Sequence, residues 1–212
     1  MPRGRAATYD AQREAILAGA AQLFAERGYS DVSMNEVARA CGVSKPLLYH
    51  YVRDKDELLV LICEGHVRRL TELVREVAMQ ESDPELRLRL LIRRFVEAYA
   101  ESRNEHRVLT QDVKFLHGAG RARVLAHEHE VVAVFADTIA QLRPQAGVQR
   151  LHKPLTMLLF GMINWMFTWL HPDGELTYEA MAPVVSDLFF GGLTAVKAPR
   201  RRRPTQPKET LA

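Results

Sequence analysis

Cysteine is scarce in this sequence. The only two cysteines, Cys41 and Cys63, lie within helical patterns, and neither belongs to a Cys/His spacing that holds a metal. A disulfide framework is thereby excluded, and a reduced, cytoplasmic environment is the simplest expectation. We expect no metal site and no cofactor.

Long apolar runs are also missing. The most apolar run, residues 155–170, is shorter than the roughly 20 residues that a membrane helix needs, and it contains Gly161 and Asn164. The chain opens without the charged and then apolar segments of a signal peptide. The sequence therefore predicts a protein that has no membrane partner.

The residue patterns of common enzymes are absent. We find no nucleophile elbow, no phosphate-binding glycine loop, no dinucleotide fingerprint and no paired His/Glu metal ligands. His127 and His129 do not have the i, i+4 spacing that puts two ligands on one helix face. The remaining histidines form no triad with neighbouring acidic residues. The sequence therefore predicts no catalytic residue and no enzymatic activity.

Net charge is a poor guide to function in this chain. Residues 197–212 carry six Lys or Arg and one Glu, a net of +5, which leaves −2 for the rest against a total of +3. Residues 1–60 balance eight Lys or Arg with eight Asp or Glu. Any case for nucleic-acid binding must therefore depend on where the cations lie. We expect residues 197–212 to be a disordered basic tail that either adds non-specific phosphate attraction or has no role.

Helical periodicity, in contrast, is abundant. Apolar residues make up 47% of the 212 residues, which is enough for one large core or two unequal ones. Apolar positions recur at helical spacing through most of the chain. We predict an all-α fold in which a long helix, from Asp54 to about Gln80, connects two bodies.

One short stretch carries its own helix-start and helix-stop signals. Ser33 and Glu36 have the spacing of a capping box, and Gly42 ends the short helix that follows. Ser44 caps a second helix, which has Pro46 in its first turn. Two short helices joined at a glycine form a helix-turn-helix.

The second of these helices has a polar and aromatic side. Around an apolar ridge of Leu48 and Val52 it carries residues predicted to face outward, namely Lys45, Tyr49, His50 and Tyr51. Such a helix suits a DNA major groove, which admits one helix and has phosphates on both walls. Lys55 follows in the first turn of the third helix, where the helix N-terminus attracts anions. The alternative is an αα-hairpin whose polar face is only solvated.

These residues resemble a known family. The runs AILAGAAQLFAERGY (15–29) and VARACGVSKPLLYHYVRDKDELL (37–59) resemble the DNA-binding domain of the TetR family of bacterial repressors. Two departures stand out. Val52 replaces the usual Phe, which should thin the small core, and Pro46-Leu47 replaces a frequent Gly-Thr, which should alter how closely the helix approaches DNA.

The resemblance implies how the chain is organised. It implies a helix-turn-helix DNA-binding domain at residues 1–55, an effector-binding and dimerisation domain at 56–196 and the tail at 197–212. The DNA-binding residues that it implies are Met34, Ser44, Lys45, Pro46, Leu47, Tyr49, His50, Tyr51 and Lys55. Lys45, Tyr49 and Lys55 would hold phosphates, and the others on the helix would reach base edges. Residues 1–7 should form a mobile arm on the DNA or a plain disordered terminus.

The second domain is rich in aromatic residues at helical spacing, which are either plain core or the lining of an effector cavity. The resemblance favours a cavity lined by Tyr99, Phe115, His127, Phe135, Met162, Trp165 and Trp169. Residues 161–177, GMINWMFTWLHPDGELT, resemble TetR-family regulators of fatty-acid and phenylacetate breakdown, several of which respond to acyl-CoA thioesters. The cations available for CoA phosphates would be Arg89, Arg93, Arg94, Arg121 and Arg123. Free acids and hydrophobic drugs are the competing effectors.

The apolar helix at residues 155–170 must be covered on both faces. The resemblance implies that it and the last helix pair with their two-fold mates in a four-helix homodimer interface, which would include Leu188 and Phe189. Such a dimer would bind a palindromic double-stranded DNA operator as a repressor and leave it when a hydrophobic effector binds. The alternative, a helical scaffold that only oligomerises, would not need the capped short helix with its outward polar residues.

Overall fold

Side chain to backbone hydrogen bonds set the ends of the first helices. Ser33 Oγ accepts a hydrogen bond from the Glu36 N–H (3.3 Å), and the Ser33 N–H donates to Glu36 Oε2 (2.8 Å), so the predicted capping box is formed. Gly28 and Gly42, with φ of +85° and +64°, end the helices that precede them in the left-handed conformation. These local signals enclose the short helix-turn-helix between two longer helices.

The structure, a computed structural model, describes residues 3–143, 149–171 and 174–197. Within these residues all regular secondary structure is helical, and the predicted all-α fold is confirmed. The α-helices are α1 (Arg3–Arg27), α2 (Met34–Ala40), α3 (Lys45–Tyr51), α4 (Lys55–Gln80), α5 (Pro84–Glu101), α6 (Arg103–Asp112), α7 (Gly118–Leu142), α8 (His152–Trp169) and α9 (Tyr178–Leu193). Short 3-10 turns at Val113–Phe115 and Gln149–Leu151 precede α7 and α8. No helix in the described part of the chain is long and apolar enough to cross a membrane.

Two hydrophobic cores share the long helix α4. Its first half contributes Leu58 and Val67 to the core beneath the helix-turn-helix, around Phe24 of α1. Its second half contributes Leu70 and Val77 to the larger core built with α5, α7, α8 and α9. A single rigid helix therefore runs from one core into the other, as the periodicity predicted.

Helices α6 and α7 also reach the first core. Val108 and Leu109 of α6 and Val124 of α7 are buried in it, and α6 packs directly against α1. The first core is therefore not closed by the first three helices and α4 alone. The division of the chain after residue 55 stays a prediction, and the structure adds that the second body contributes side chains to the first core.

The structure tests the prediction for the N-terminal end of the chain but not the prediction for most of the C-terminal tail. The prediction of a mobile arm over residues 1–7 is wrong for residues 3–7, because α1 already begins at Arg3. Residues 3–7 contain no proline, and Ala6 and Ala7 have the highest helix propensity, so the helix extends upstream as far as Arg3. Residues 1–2 and all of the predicted tail except Lys197 lie outside the described residues.

Candidate nucleic-acid interface and effector site

Helix α3 presents its outer face to solvent. Ser44 Oγ accepts a hydrogen bond from the Leu47 N–H (3.3 Å), and Leu48 is fully buried in the first core. This anchor leaves the outward side chains exposed, namely Ser44, Lys45, Pro46, Leu47, Tyr49 and His50. The geometry is that of a helix held by one apolar residue with its remaining surface free for a partner.

Tyr51 and Met34 lie differently from the other predicted DNA-binding residues. Both are partly buried against the first core, and the Tyr51 ring lies 4.7 Å from the Tyr9 ring of α1. Tyr51 follows Leu48 by three residues, which puts both on the same inward face of a helix. Tyr51 therefore does not face fully outward, because its ring packs between α3 and α1, and its contact with base edges stays a prediction.

Lys55 has partners within the chain. Its Nζ donates to the Ser30 carbonyl (3.3 Å) and lies 4.3 Å from the centre of the Tyr29 ring. The Tyr29 hydroxyl in turn donates to Asp56. Lys55 is therefore part of a small network that ties the start of α4 to the loop before α2. Its predicted phosphate contact remains a prediction.

The charges around α3 are unevenly paired. Arg27 bonds Glu36 (2.8 Å), and Arg53 bonds Asp54 (2.9 Å). The pKa of the Glu36 carboxyl is lowered to about 2, chiefly by the hydrogen bond from the Ser33 backbone and then by those from the Ser33 hydroxyl and Arg27. Among the residues that the structure describes, Lys45 has no carboxylate within 4.0 Å. Lys45 is thus the cation on α3 that stays free to meet an anion.

Six aromatic rings from α5, α7, α8 and α9 pack together in the second core and form what we call the aromatic cluster. Phe95 lies 4.9 Å from Phe135, which lies 4.9 Å from Phe160, and Tyr99 lies 5.6 Å from Phe167. The members are Phe95, Tyr99, Phe135, Phe160, Phe167 and Tyr178. Of the predicted effector-binding residues, Tyr99 and Phe135 belong to this cluster, and Met162 packs against the same core.

Three other predicted effector-binding residues lie elsewhere. Trp165 and Trp169 are 68% and 46% exposed on the outer face of α8. They are four residues apart, so they share one helix face, and Leu159 and Ile163 occupy the buried face. Phe115 is 37% exposed in the 3-10 turn after α6, and its ring lies 5.4 Å from the tilted ring of Tyr29 in the first core. The expectation that these three residues line one cavity with Tyr99 and Phe135 is therefore not met.

His127, on α7, contacts a residue of α4. Its Nδ1 lies 3.2 Å from Thr71 Oγ1, and the Thr71 hydroxyl donates to the Val67 carbonyl (2.9 Å). Because that proton is already committed, Nδ1–H of His127 donates to Thr71. His127 is a partnered structural residue, and no cluster of three metal-ligating side chains exists in the described part of the chain.

The sequence prediction did not include two members of the aromatic cluster or the polar residues beside it. Phe160, Asn164 and Phe167 recur at i, i+4 and i+7 and therefore share one face of α8, a signal that was present in the sequence. Two histidines, His66 of α4 and His106 of α6, are buried beside the cluster with His66 Nε2 3.4 Å from His106 Nδ1. Tyr99 stacks on His106, with ring centres 3.6 Å apart.

Both histidines are neutral at physiological pH. Burial lowers the pKa of His66 to about 3, with smaller contributions from His106 and Arg69. Burial likewise lowers the pKa of His106 to about 4. Burial and nearby Glu128 raise the pKa of the Tyr99 phenol, so it stays protonated. The site beside the aromatic cluster therefore contains polar groups without net charge.

The predicted CoA-binding arginines mostly have carboxylate partners. Arg123 bonds Glu64 through two nitrogens (2.8 and 3.0 Å), and Arg89 bonds Asp187 (3.0 Å). Arg93 and Arg94 lie 3.8 Å from Glu97 and Glu76 respectively. These four arginines therefore have carboxylate partners in exposed surface ion pairs, and their contact with CoA phosphates stays a prediction. Arg121 alone of the five has no carboxylate within 4.0 Å among the described residues.

A pocket of about 300 Å³ opens between α1, α4 and α6. Its charged lining residues are Arg13, Glu14, Glu64, Arg68, Arg69 and Glu105. Gly65 lies in its wall, one residue before His66, and Glu105 directly precedes His106. The pocket therefore flanks the two helix segments that carry the buried histidines.

An apolar surface covers the outer faces of α8 and α9. Its exposed members are Met157, Leu158, Trp165, Trp169, Val184 and Leu188. Leu188 is 65% exposed, but Phe189 is 7% exposed and belongs to the second core. Of the two residues predicted for a dimer interface, Leu188 is therefore available, and Phe189 is not.

Comparisons with known proteins agree with this architecture. Residues 16–62 match the family model for bacterial regulatory proteins of the tetR family, and residues 81–193 match the tetracyclin repressor-like C-terminal domain. The chain is 31% identical over 203 residues to the HTH-type transcriptional activator FasR of Mycolicibacterium smegmatis, covering 93% of this chain and 90% of FasR.

Solved structures give the same result. A TetR-family regulator from Bordetella parapertussis 12822 is 36% identical with a TM-score of 0.81, covering 88% of this chain and 98% of that one. AibR in complex with isovaleryl coenzyme A and operator DNA is 28% identical with a TM-score of 0.75, covering 84% and 97%. TetR-family regulators bind operator DNA, dimerise and bind small-molecule effectors, and they are not enzymes. The chain therefore belongs to the TetR family of DNA-binding transcriptional regulators.

Proposed function

We propose that this chain is a homodimeric repressor that binds a palindromic operator through α3 and releases it when an acyl-CoA thioester binds beside the aromatic cluster. The observation that carries the proposal is the continuity of α4, which belongs to the core beneath α3 and to the core that contains the aromatic rings. A ligand that shifts α4 in one core changes the position of α3 over the other.

The DNA contacts follow from the exposed face of α3. Two copies related by a two-fold axis insert α3 into successive major grooves about 34 Å apart. Lys45, Tyr49 and Lys55 contact phosphates. Base edges meet Pro46, Leu47 and His50, and Ser44 and Met34 lie at the borders of the contact surface. The exposed, uncompensated ammonium of Lys45 is the strongest support for these roles.

The homodimer uses the apolar surface of α8 and α9. Exposed Trp165, Trp169 and Leu188 are costly in water and are typical of an interface. The same surface on two subunits makes a self-complementary contact, which yields the two-fold symmetry that a palindrome requires.

The effector is proposed to be an acyl-CoA thioester. The aromatic cluster offers an apolar environment for an acyl group, and AibR, a relative of similar fold, was solved with isovaleryl coenzyme A. Ligand binding must favour the DNA-incompetent arrangement by about 1 to 3 kcal/mol, which lowers operator affinity by roughly 5- to 150-fold. Free acids and hydrophobic drugs are the competing effectors.

Fluorescence anisotropy on labelled DNA from upstream of the gene tests the proposal. The protein–DNA complex is titrated separately with phenylacetyl-CoA, palmitoyl-CoA and the two free acids. Release by a thioester alone is expected, and release by a free acid without any thioester effect contradicts the CoA assignment. FasR is named an activator, so a reporter fused to the same DNA measures the direction of control. Loss of reporter repression in cells fed the acyl precursor is the expected result.

A further inference from the structure

Three buried polar atoms near the aromatic cluster lack hydrogen-bond partners. They are Nδ1 of His66, Nε2 of His106 and Oδ1 of Asn164. His66 and His106 are only 1% and 4% exposed, so these ring nitrogens are shielded from bulk solvent. Buried polar atoms without partners are costly and uncommon in folded proteins. Each of the three atoms can therefore form a hydrogen bond with a bound ligand.

The hydrogen-bonding capacity of the histidine pair follows from its geometry. His66 Nε2 and His106 Nδ1 are 3.4 Å apart, so one ring donates and the other accepts. If His66 donates, its Nδ1 is a free acceptor and His106 Nε2–H is a free donor. If His106 donates, the two free roles are exchanged. In both tautomers the neutral pair presents one free donor and one free acceptor.

The surroundings of the pair are apolar and aromatic. Tyr99 stacks on His106, and the Phe167 ring lies 5.7 Å from His106. Asn164 lies on the same face of α8, between Phe160 and Phe167. Two charged groups affect the pKa values at this site. Arg69 contributes to the lowered pKa of His66, and Glu128 contributes to the raised pKa of Tyr99. Because burial keeps both imidazoles neutral, neither carries a charge that could balance a buried anion.

We propose that His66, His106 and Asn164 form the polar contact of the effector site and select an uncharged carbonyl derivative, such as a thioester, over the free carboxylate. A thioester carbonyl accepts the free imidazole N–H without any transfer of charge. A carboxylate would lose its hydration against imidazoles that carry no charge, which is far more costly. The inference rests on the proposed function for the identity of the site, and it adds which ligand atom is recognised and by which residues.

The test uses ligands that lack the CoA nucleotide. Isothermal titration of the full-length wild-type protein compares the N-acetylcysteamine thioester of phenylacetate with phenylacetate itself at pH 7.5. At least tenfold tighter binding of the thioester is expected. Equal or tighter binding of the free acid, or no binding of the thioester, overturns the inference. This readout does not involve DNA, so a thioester that binds without releasing the operator contradicts the proposed function alone.

Two substitutions at one position separate recognition from structural support. In His106→Gln the amide nitrogen falls near the position of Nε2, which is the unpartnered atom. In His106→Asn the amide falls near Nδ1, which faces His66. His106→Gln should bind the thioester within about threefold of wild type, and His106→Asn about tenfold more weakly. If His106→Asn binds the thioester more tightly than His106→Gln, only the hydrogen bond between the two histidines matters, and the assignment is overturned. If circular dichroism shows that either variant does not fold, the inference is decided by the wild-type protein, through the ratio of its dissociation constants for the free acid and the thioester.

Discussion

Gly120 of α7 lies directly against Val60 of α4. A Cβ atom built on Gly120 would come 2.5 Å from Cγ2 and 3.0 Å from Cγ1 of Val60. Rotation of a valine cannot clear both methyl groups, so α7 would have to move away from α4. The close crossing of the two helices therefore depends on this glycine, at the level where both helices contribute to the first core.

Gly120→Ala should lower the free energy of unfolding by roughly 1 to 3 kcal/mol, the usual cost of overpacking a core. Urea denaturation measures the change. Gly65→Ala is the matched control, because its added Cβ would meet only Arg69 Nη1 at an ordinary 3.8 Å. That variant should be neutral or up to about 1 kcal/mol more stable, since alanine favours the helix. Equal stability of the two alanine variants would contradict the close crossing.

Lys45→Ala should weaken binding to all DNA sequences and reduce the salt slope of log K by about 0.9, the contribution of one phosphate contact. The reason is that Lys45 is exposed on α3 and has no carboxylate near it among the described residues. Anisotropy at several KCl concentrations gives the slope. Lys153→Ala, at an exposed residue in the first turn of α8, removes the same charge far from α3 and should leave the slope unchanged.

Lys55→Ala should also reduce the salt slope of log K by about the contribution of one phosphate contact. The reduction is expected if the Lys55 ammonium, which lies beside Ser30, reaches the DNA backbone. The variant also loses the contact with the Tyr29 ring, so a lower melting temperature is expected as well. A lower melting temperature with an unchanged slope would restrict Lys55 to a structural role.

Leu188→Glu should convert the dimer to monomers at micromolar concentration and abolish tight binding to a palindrome. A charge in an apolar interface is costly to desolvate, and Leu188 is exposed in the single subunit, so the subunit itself should stay folded. Sedimentation velocity measures the state of assembly. Met79→Glu, which alters an exposed residue at the end of α4, is the control. Phe189→Glu should instead unfold the subunit, because Phe189 lies in the second core.

The histidine pair makes stability depend on pH. The folded-state pKa values of His66 and His106 are about 3 and 4, below the ordinary value near 6.5. Between about pH 4 and pH 6.5 the two histidines therefore bind more protons in the unfolded chain than in the folded one. The free energy of unfolding must then fall as pH drops from about 6.5 towards 4. A loss of about 1 kcal/mol per histidine per pH unit is expected within this window. Urea denaturation at pH 7.5, 6.5 and 5.5 measures it, and the double variant His66→Asn/His106→Asn should show a shallower dependence.

Local signals predicted much of the fold. Ser33, Ser44 and Asp54 cap helices as expected, because each cap is a hydrogen bond between residues a few positions apart. The role of α4 in two bodies followed from its length. Family membership followed from residues 11–59, whose spacing reflects packing within one small core.

The effector site was harder to predict for physical reasons. Helix α8 is apolar almost all round, so its sequence does not say which face is core or that Trp165 lies on the exposed face instead of lining a cavity. Phe115 lies on a turn whose direction depends on tertiary packing. His66 and His106 are 40 residues apart, and only the packing of α6 on α4 brings them together.

Reciprocity between ligand and DNA tests the central claim most directly. If phenylacetyl-CoA or palmitoyl-CoA weakens operator binding by a given factor, the operator must weaken binding of that thioester by the same factor. Isothermal titration of each thioester into the free protein and into the saturated protein–operator complex measures this. The account predicts a dissociation constant that is roughly 5- to 150-fold higher in the complex for the thioester that releases DNA. Identical dissociation constants for both thioesters, with and without operator, would contradict it.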